Sequence, residues 1–151
     1  MTGFLLDTSI LSALAPERKA GSEELAKWMV RQDEAENLYL PSIAIAEIEK
    51  GISKLRRAGA TARADRFDQW QDELVATFGN RILAVDVAVA RTAGVMEDAA
   101  IARGRNPGLA DVLIAATAKT HALTLLTANE KHFEQFELDY LNPLRQLPSP
   151  R

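Results

Sequence analysis

The chain has 151 residues, a length that suits one domain with a real core. Hydrophobic residues make up 47% and charged residues 26%, the profile of a folded soluble protein and not of a disordered segment. A formal charge of −3 argues against a free-standing nucleic-acid binder, and the absence of cysteine excludes disulfides and thiolate metal sites and fits a reducing compartment.

The apolar stretches are too short and too broken by charge to cross a bilayer, and Met1-Thr2-Gly3 carries no basic leader. One cytoplasmic domain over 1–151 is expected, without membrane contact and with 146–151 as a flexible tail. Gly3 to Leu6 reads as a first strand, followed by a short helix over about Ser9–Ala15 that Pro16 ends. Ser22 caps a helix reaching Gln32, Leu38-Tyr39-Leu40 is a second strand, and Pro41-Ser42 open a long helix to about Arg57. Gly59 separates it from a helix over Thr61–Thr77.

Ile82 to Val85 is a third strand, and Asp86 caps a helix that runs to about Arg103. A turn-rich loop, 104–108, leads into an almost wholly apolar helix, Leu109–Lys119, which should be buried. Thr124 to Thr127 is a fourth strand and Leu138 to Leu141 a weak fifth. Apolar strands without strict alternation, joined through helices, predict a three-layer α/β/α domain around a central, mostly parallel sheet of about five strands.

Three acids stand where charge is costly. Asp7 ends the run Phe4-Leu5-Leu6, at the carboxyl end of a buried strand, where open α/β sheets place ligands. Glu47 lies on or beside the helical stripe Ile43, Ala44, Ile48, Gly51, Ile52, Leu55. Such a carboxylate must be protonated, paired with Arg or Lys, or metal-bound. Asp111 begins the apolar helix, where it also complements the helix dipole, and Asp7-Thr8-Ser9 is good helix-start chemistry as well. Each acid alone has such a structural explanation, but three at the strand ends of one sheet are much harder to explain by capping. With no catalytic-looking cysteine or histidine beside them, they suggest a hard divalent cation, Mg²⁺ or Mn²⁺.

Asn129, after the fourth strand, is a fourth candidate or a turn residue, and Glu130 next to it would bring the charge that an amide lacks. A basic stretch holds Lys50, Lys54, Arg56, Arg57, Arg63 and Arg66 against the single acid Asp65. It reads as a solvated helix face, or as a surface for RNA phosphates or an acidic partner segment.

In order and spacing the chain resembles the PIN-domain ribonucleases, specifically the VapC/FitB-like toxins of type II toxin–antitoxin modules. The matching segments are Leu5-Leu6-Asp7-Thr8-Ser9, 41–48 with Gly51, 82–86 with Ala93-Gly94, 111–118, 126–129 ending at Phe133, and Leu141-Asn142-Pro143. The resemblance implies a metal-dependent endoribonuclease that hydrolyses tRNA or another structured RNA with a metal-activated water. It implies that Asp7, Glu47 and Asp111 gather Mg²⁺ or Mn²⁺, with Asn129 at a fourth position that is often Asp. Thr8, Ser9 and Thr127 match polar positions near the metal, and His132 receives no role. Arg103 and Arg105 are placed for phosphate contacts. The partners implied are a homodimer mate and a small antitoxin with an N-terminal DNA-binding domain, in a larger assembly on operator DNA. Leu25, Trp28, Met29 and Leu55 are candidates for an antitoxin groove, or ordinary core.

A phosphatase using Asp7 as nucleophile would want a second Asp two residues on, where the chain has Ser9. A catalytically weak or inactive scaffold that only binds a DNA-binding antitoxin is the other alternative, kept alive by Asn129.

Overall fold

In the computed structural model, which describes residues 3–15, 17 and 21–149, strands and helices alternate along the chain. They are β1 (Phe4–Leu6), α1 (Thr8–Ala13), α2 (Glu23–Glu34), β2 (Leu38–Pro41), α3 (Ser42–Arg57) and α4 (Thr61–Phe78). A 3-10 turn (Gly79–Arg81) leads into β3 (Ile82–Leu83), α5 (Val87–Ala102), α6 (Leu109–Thr120), β4 (Thr124–Leu126), α7 (Glu130–Phe133) and β5 (Tyr140–Leu141). The strands form one sheet in the order β3-β2-β1-β4-β5, and every neighbouring pair is parallel. The expected three-layer architecture is the one observed.

The strand sequences explain why both faces are covered. Successive side chains of a strand point to opposite sides, and here both sides are apolar. Leu5 and Leu125 join a cluster with Val89, Met96, Val112, Ala115 and Phe133 from α5, α6 and α7. Leu6, Leu38, Leu40 and Leu126 join the opposite cluster with Ile10, Leu25, Trp28, Ala44 and Ile48 from α1, α2 and α3. Gly3 is required by close approach at the start of β1, because a Cβ there would meet Leu123 Cδ2 at 2.9 Å and the Asn37 carbonyl at 3.1 Å.

The helix starts follow capping chemistry. Ser22 accepts from the Leu25 amide at 3.1 Å, and Asp86 from the Val89 amide at 2.9 Å. The third strand is shorter than its apolar run, since pairing with β2 stops at Leu83 and Val85 is 38% exposed. The fifth strand is likewise reduced to Tyr140–Leu141. Both lie at sheet edges, where only one neighbour supplies hydrogen bonds. Helix α7 went unanticipated, being a single turn pinned by the buried ring of Phe133. Pro16, expected to end the first helix, lies outside the described residues, as do residues 150 and 151 of the expected tail, while Leu147 packs against the α1–α4 cluster. Among the described residues no helix is long and apolar enough to cross a membrane.

Candidate active site

The strand order reverses at β1, whose neighbours are β2 on one side and β4 on the other. The carboxyl ends of β1 and β4 at such a switch point are where open α/β sheets bind ligands. Asp7 sits there, 3% exposed. The ladder continues to it, since its amide donates to the Leu126 carbonyl at 3.1 Å.

Both carboxylate oxygens of Asp7 are occupied. Oδ1 accepts from the Ile10 amide at 3.0 Å and from Ser9 Oγ at 2.6 Å, so Asp7 does cap α1. Oδ2 accepts from Thr127 Oγ1 at 2.5 Å, across 120 residues of sequence. The Thr127 oxygen in turn accepts from the Asn129 amide at 2.9 Å, and Ser9 Oγ accepts from the Ala128 amide at 2.9 Å. The turn after β1 is thereby stitched to the turn after β4. Burial pushes the Asp7 carboxyl above its ordinary range, and the donors Ser9, Thr127 and Ile10 pull it back without cancelling the effect. None of these donors is a cation, and among the described residues Asp7 belongs to no ion pair.

Glu47, half-buried on α3, meets the start of α1, where its Oε1 accepts from Oγ1 of Thr8, the residue after Asp7, at 2.5 Å. The salt bridge that would have explained it structurally is not found among the described residues. Asp111 lies in the first turn of α6, 29% exposed at its side chain, and its Oδ2 is 3.2 Å from Nδ1 of His132. His132 was given no role from sequence. It reaches Asp111 because α7 carries it there, and the signal available was the buried Phe133 beside it.

The other candidates divide. Asn129 is exposed at the start of α7 and makes no side-chain cap. Glu130 is 3.5 Å from Arg145, in an ion pair. Arg103 donates to the Gln135 carbonyl, while Arg105 stays exposed in the loop before α6. The basic stretch is partly consumed internally: Arg56 pairs with Asp65 and Asp68, and Arg63 and Arg66 with Glu17. Those two arginines hold the Glu17 carboxyl below its ordinary range. Lys50, Lys54 and Arg57 remain exposed.

Oxygen donors with one buried, uncompensated carboxylate fit a hard divalent cation chemically. The side chains do not close around one point, however: among the described residues no three His, Asp or Glu are grouped to hold an ion. Glu47 Oε1 is engaged by Thr8 and Asp111 Oδ2 faces His132, which leaves the second oxygen of each carboxylate without a hydrogen-bond partner in this arrangement among the described residues.

A groove opens beside Glu47. Its lining combines polar Thr8, Glu47 and Arg63 with apolar Ile52, Leu55, Phe67 and Trp70. Of the residues nominated for a groove, only Leu55 lines it. Leu25, Trp28 and Met29 are at most 9% exposed and belong to the core under α2. Phe67 and Trp70, on α4, were missed because α4 shows its apolar face only once it is packed against α3.

Residues 4–137 match the family model described as "PIN domain". The chain belongs to the PIN-domain family. This PIN domain is 30% identical over 140 residues to Toxin FitB of Neisseria gonorrhoeae, covering 93% of the chain and 97% of FitB. It is 28% identical to VapC ribonuclease Y4jK of Sinorhizobium fredii, over 93% and 96% of the two chains. Among solved structures it superposes on a chain of FitAcB from Neisseria gonorrhoeae with a TM-score of 0.72, at 28% identity and over 93% and 97% of the two chains. A chain of FitAB bound to an IR36 DNA fragment gives the same TM-score of 0.72 at 28% identity, over 93% and 95%.

Proposed function

We propose that this PIN domain is the toxin of a toxin–antitoxin module and acts as a metal-dependent endoribonuclease on tRNA or another structured RNA in the cytoplasm. The observation that carries this reading is Asp7, a carboxylate buried at the switch point of the sheet with hydrogen-bond donors but, among the described residues, no ion-pair partner. Its relatives' names, a toxin and a ribonuclease, support the same conclusion.

Asp7, Glu47 and Asp111 would hold Mg²⁺ or Mn²⁺, with Asn129 at the margin. When bound, the cation lowers the pKa of a coordinated water and neutralises charge developing on the scissile phosphate. The chain's own residues do the positioning. Ser9, the Ile10 amide and Thr127 fix the orientation of the Asp7 carboxylate, and Thr8 holds Glu47 at the mouth of the groove. Arg105, exposed in the loop before α6, is placed to meet an RNA phosphate.

The test incubates purified, antitoxin-free protein with total RNA and tRNA in Mn²⁺, Mg²⁺ or EDTA, beside an Asp7→Asn control. Discrete fragments that vanish with EDTA and fall on the order of a hundredfold in the variant are expected. Metal-independent cleavage, or equal cleavage by the variant, would refute the mechanism. A folded wild type that neither binds metal nor cuts would favour the inactive scaffold.

The antitoxin, a small protein with an N-terminal DNA-binding domain, would lay an apolar segment in the groove of Leu55, Phe67 and Trp70 and point a cation at Glu47. Assembly on operator DNA belongs to that complex, as the DNA-bound FitAB relative supports. Leu55→Asp places a charge against apolar partner surface. It should weaken antitoxin binding roughly a hundredfold, ~2.7 kcal/mol, by calorimetry. Unchanged affinity would move the antitoxin to another surface.

A further inference from the structure

Helix α3 carries two kinds of cation. Arg56 faces α4, where Asp65 holds it at 2.7 Å and Asp68 at 3.3 Å, and on the same side Gln71 donates to Glu49. Lys50, Lys54 and Arg57 are exposed and belong to no ion pair among the described residues. Counted from Glu47, they follow at three, four and three positions, the spacing of one helix face, so four charged side chains share a stripe about 15 Å long.

This stripe differs from an ordinary solvated face, which interleaves opposite charges three and four positions apart. Here Lys50, Lys54 and Arg57 meet one another at those spacings, an arrangement that costs helix stability. The one acid within reach at those spacings, Glu47, has its Oε1 on Thr8. The helix dipole accounts for Lys54 and Arg57 in the last turn, but not for Lys50, two turns before the end.

A like-charged ridge fits an anionic ligand, and its position says which. Glu47, at the head of the ridge, is a proposed ligand of the catalytic cation. A phosphodiester chain held at that cation continues away from it with a negative charge at every phosphate. The other flank of α3, with Gly51, Ile52 and Leu55, lines the apolar groove, so ridge and groove are separate surfaces. We infer that Lys50, Lys54 and Arg57 form a track that binds the phosphates of the RNA strand beside the cleavage point. The choice of RNA rests on the ribonuclease reading; the place of the track does not.

Fluorescence anisotropy of a short labelled single-stranded RNA, titrated with antitoxin-free protein in EDTA over a KCl series, tests it. The variant with Lys50→Gln, Lys54→Gln and Arg57→Gln should bind roughly tenfold more weakly at low salt. Its slope of log K against log salt should be flatter by about two, since each phosphate contact on a single strand contributes about 0.7. Lys27→Gln with Arg31→Gln, which removes two exposed cations from α2, should leave the slope unchanged. The triple variant should melt no lower than the wild type, because like-charge contacts are lost, and this separates lost binding from lost folding. A slope unchanged in the triple variant, an equal loss in the α2 control, or a wild type that binds no RNA would each overturn the assignment. So would equally tight binding of a glutamate-rich peptide, which would give the ridge to an acidic protein partner. Since nothing is cleaved in EDTA, a protein that binds RNA through the ridge yet never cuts it with Mn²⁺ would refute the ribonuclease reading and keep the track.

Discussion

Asp7→Asn is expected to melt higher than the metal-free wild type at neutral pH while losing both cleavage and stabilisation by Mg²⁺ or Mn²⁺. The carboxyl is buried, and desolvation raises its pKa despite the donors around it. A group that binds its proton more tightly in the folded chain contributes stability that is fully present below the unfolded pKa and is lost as pH rises through the folded value. The fold is therefore weaker at neutral pH than below the ordinary carboxylate range. Asparagine keeps one acceptor for the Ile10 amide and carries no charge, so about 1 kcal/mol, or roughly 2–4 °C, should be recovered. The wild type should lose stability as pH rises from the ordinary carboxylate range, and the variant should lack that dependence. A cation held by Asp7 should reverse the order of the melting temperatures, stabilising the wild type alone. Equal melting at all pH values, or equal response to Mn²⁺, would show that Asp7 is only a helix cap.

Thr127→Val is expected to cost about 1–3 kcal/mol in urea unfolding although the side chains are nearly isosteric. The hydroxyl is wholly buried and serves two partners, donating to Asp7 Oδ2 at 2.5 Å and accepting from the Asn129 amide at 2.9 Å. Valine leaves that amide without its acceptor and the buried carboxylate one donor short, which raises the Asp7 carboxyl further. Part of the cost runs through the Asp7 charge, so the loss should be smaller in an Asp7→Asn background, with a coupling of at least ~0.5 kcal/mol. Strict additivity would mean that Thr127 acts on the turn after β4 alone.

Elements and their order were legible because periodicity, capping and turn chemistry are local. Ser22 and Asp86 announce their helices, and the apolar runs at Leu5, Leu40 and Leu125 announce strands covered on both faces. Lengths at the sheet edges were not legible, since Val85 continues an apolar run yet has no strand to pair with. The three acids could be picked out one at a time, each with a structural explanation as good as its functional one.

Among those acids, only tertiary structure could decide. It ties Asp7 to Thr127 across 120 residues and leaves Glu47 with a threonine where a salt bridge was the alternative. It sets His132 against Asp111, and it sends Leu25, Trp28 and Met29 into the core while Phe67 and Trp70 join Leu55 in a groove. Amphipathic spacing states that a helix face is covered without stating by what. The sequence by itself therefore determined the layers and the order of the strands, and marked Asp7, Glu47 and Asp111 as candidates one by one. Which hydroxyl meets which carboxylate, and which apolar residues line a groove, depends on contacts between residues far apart in the chain, which no local pattern encodes.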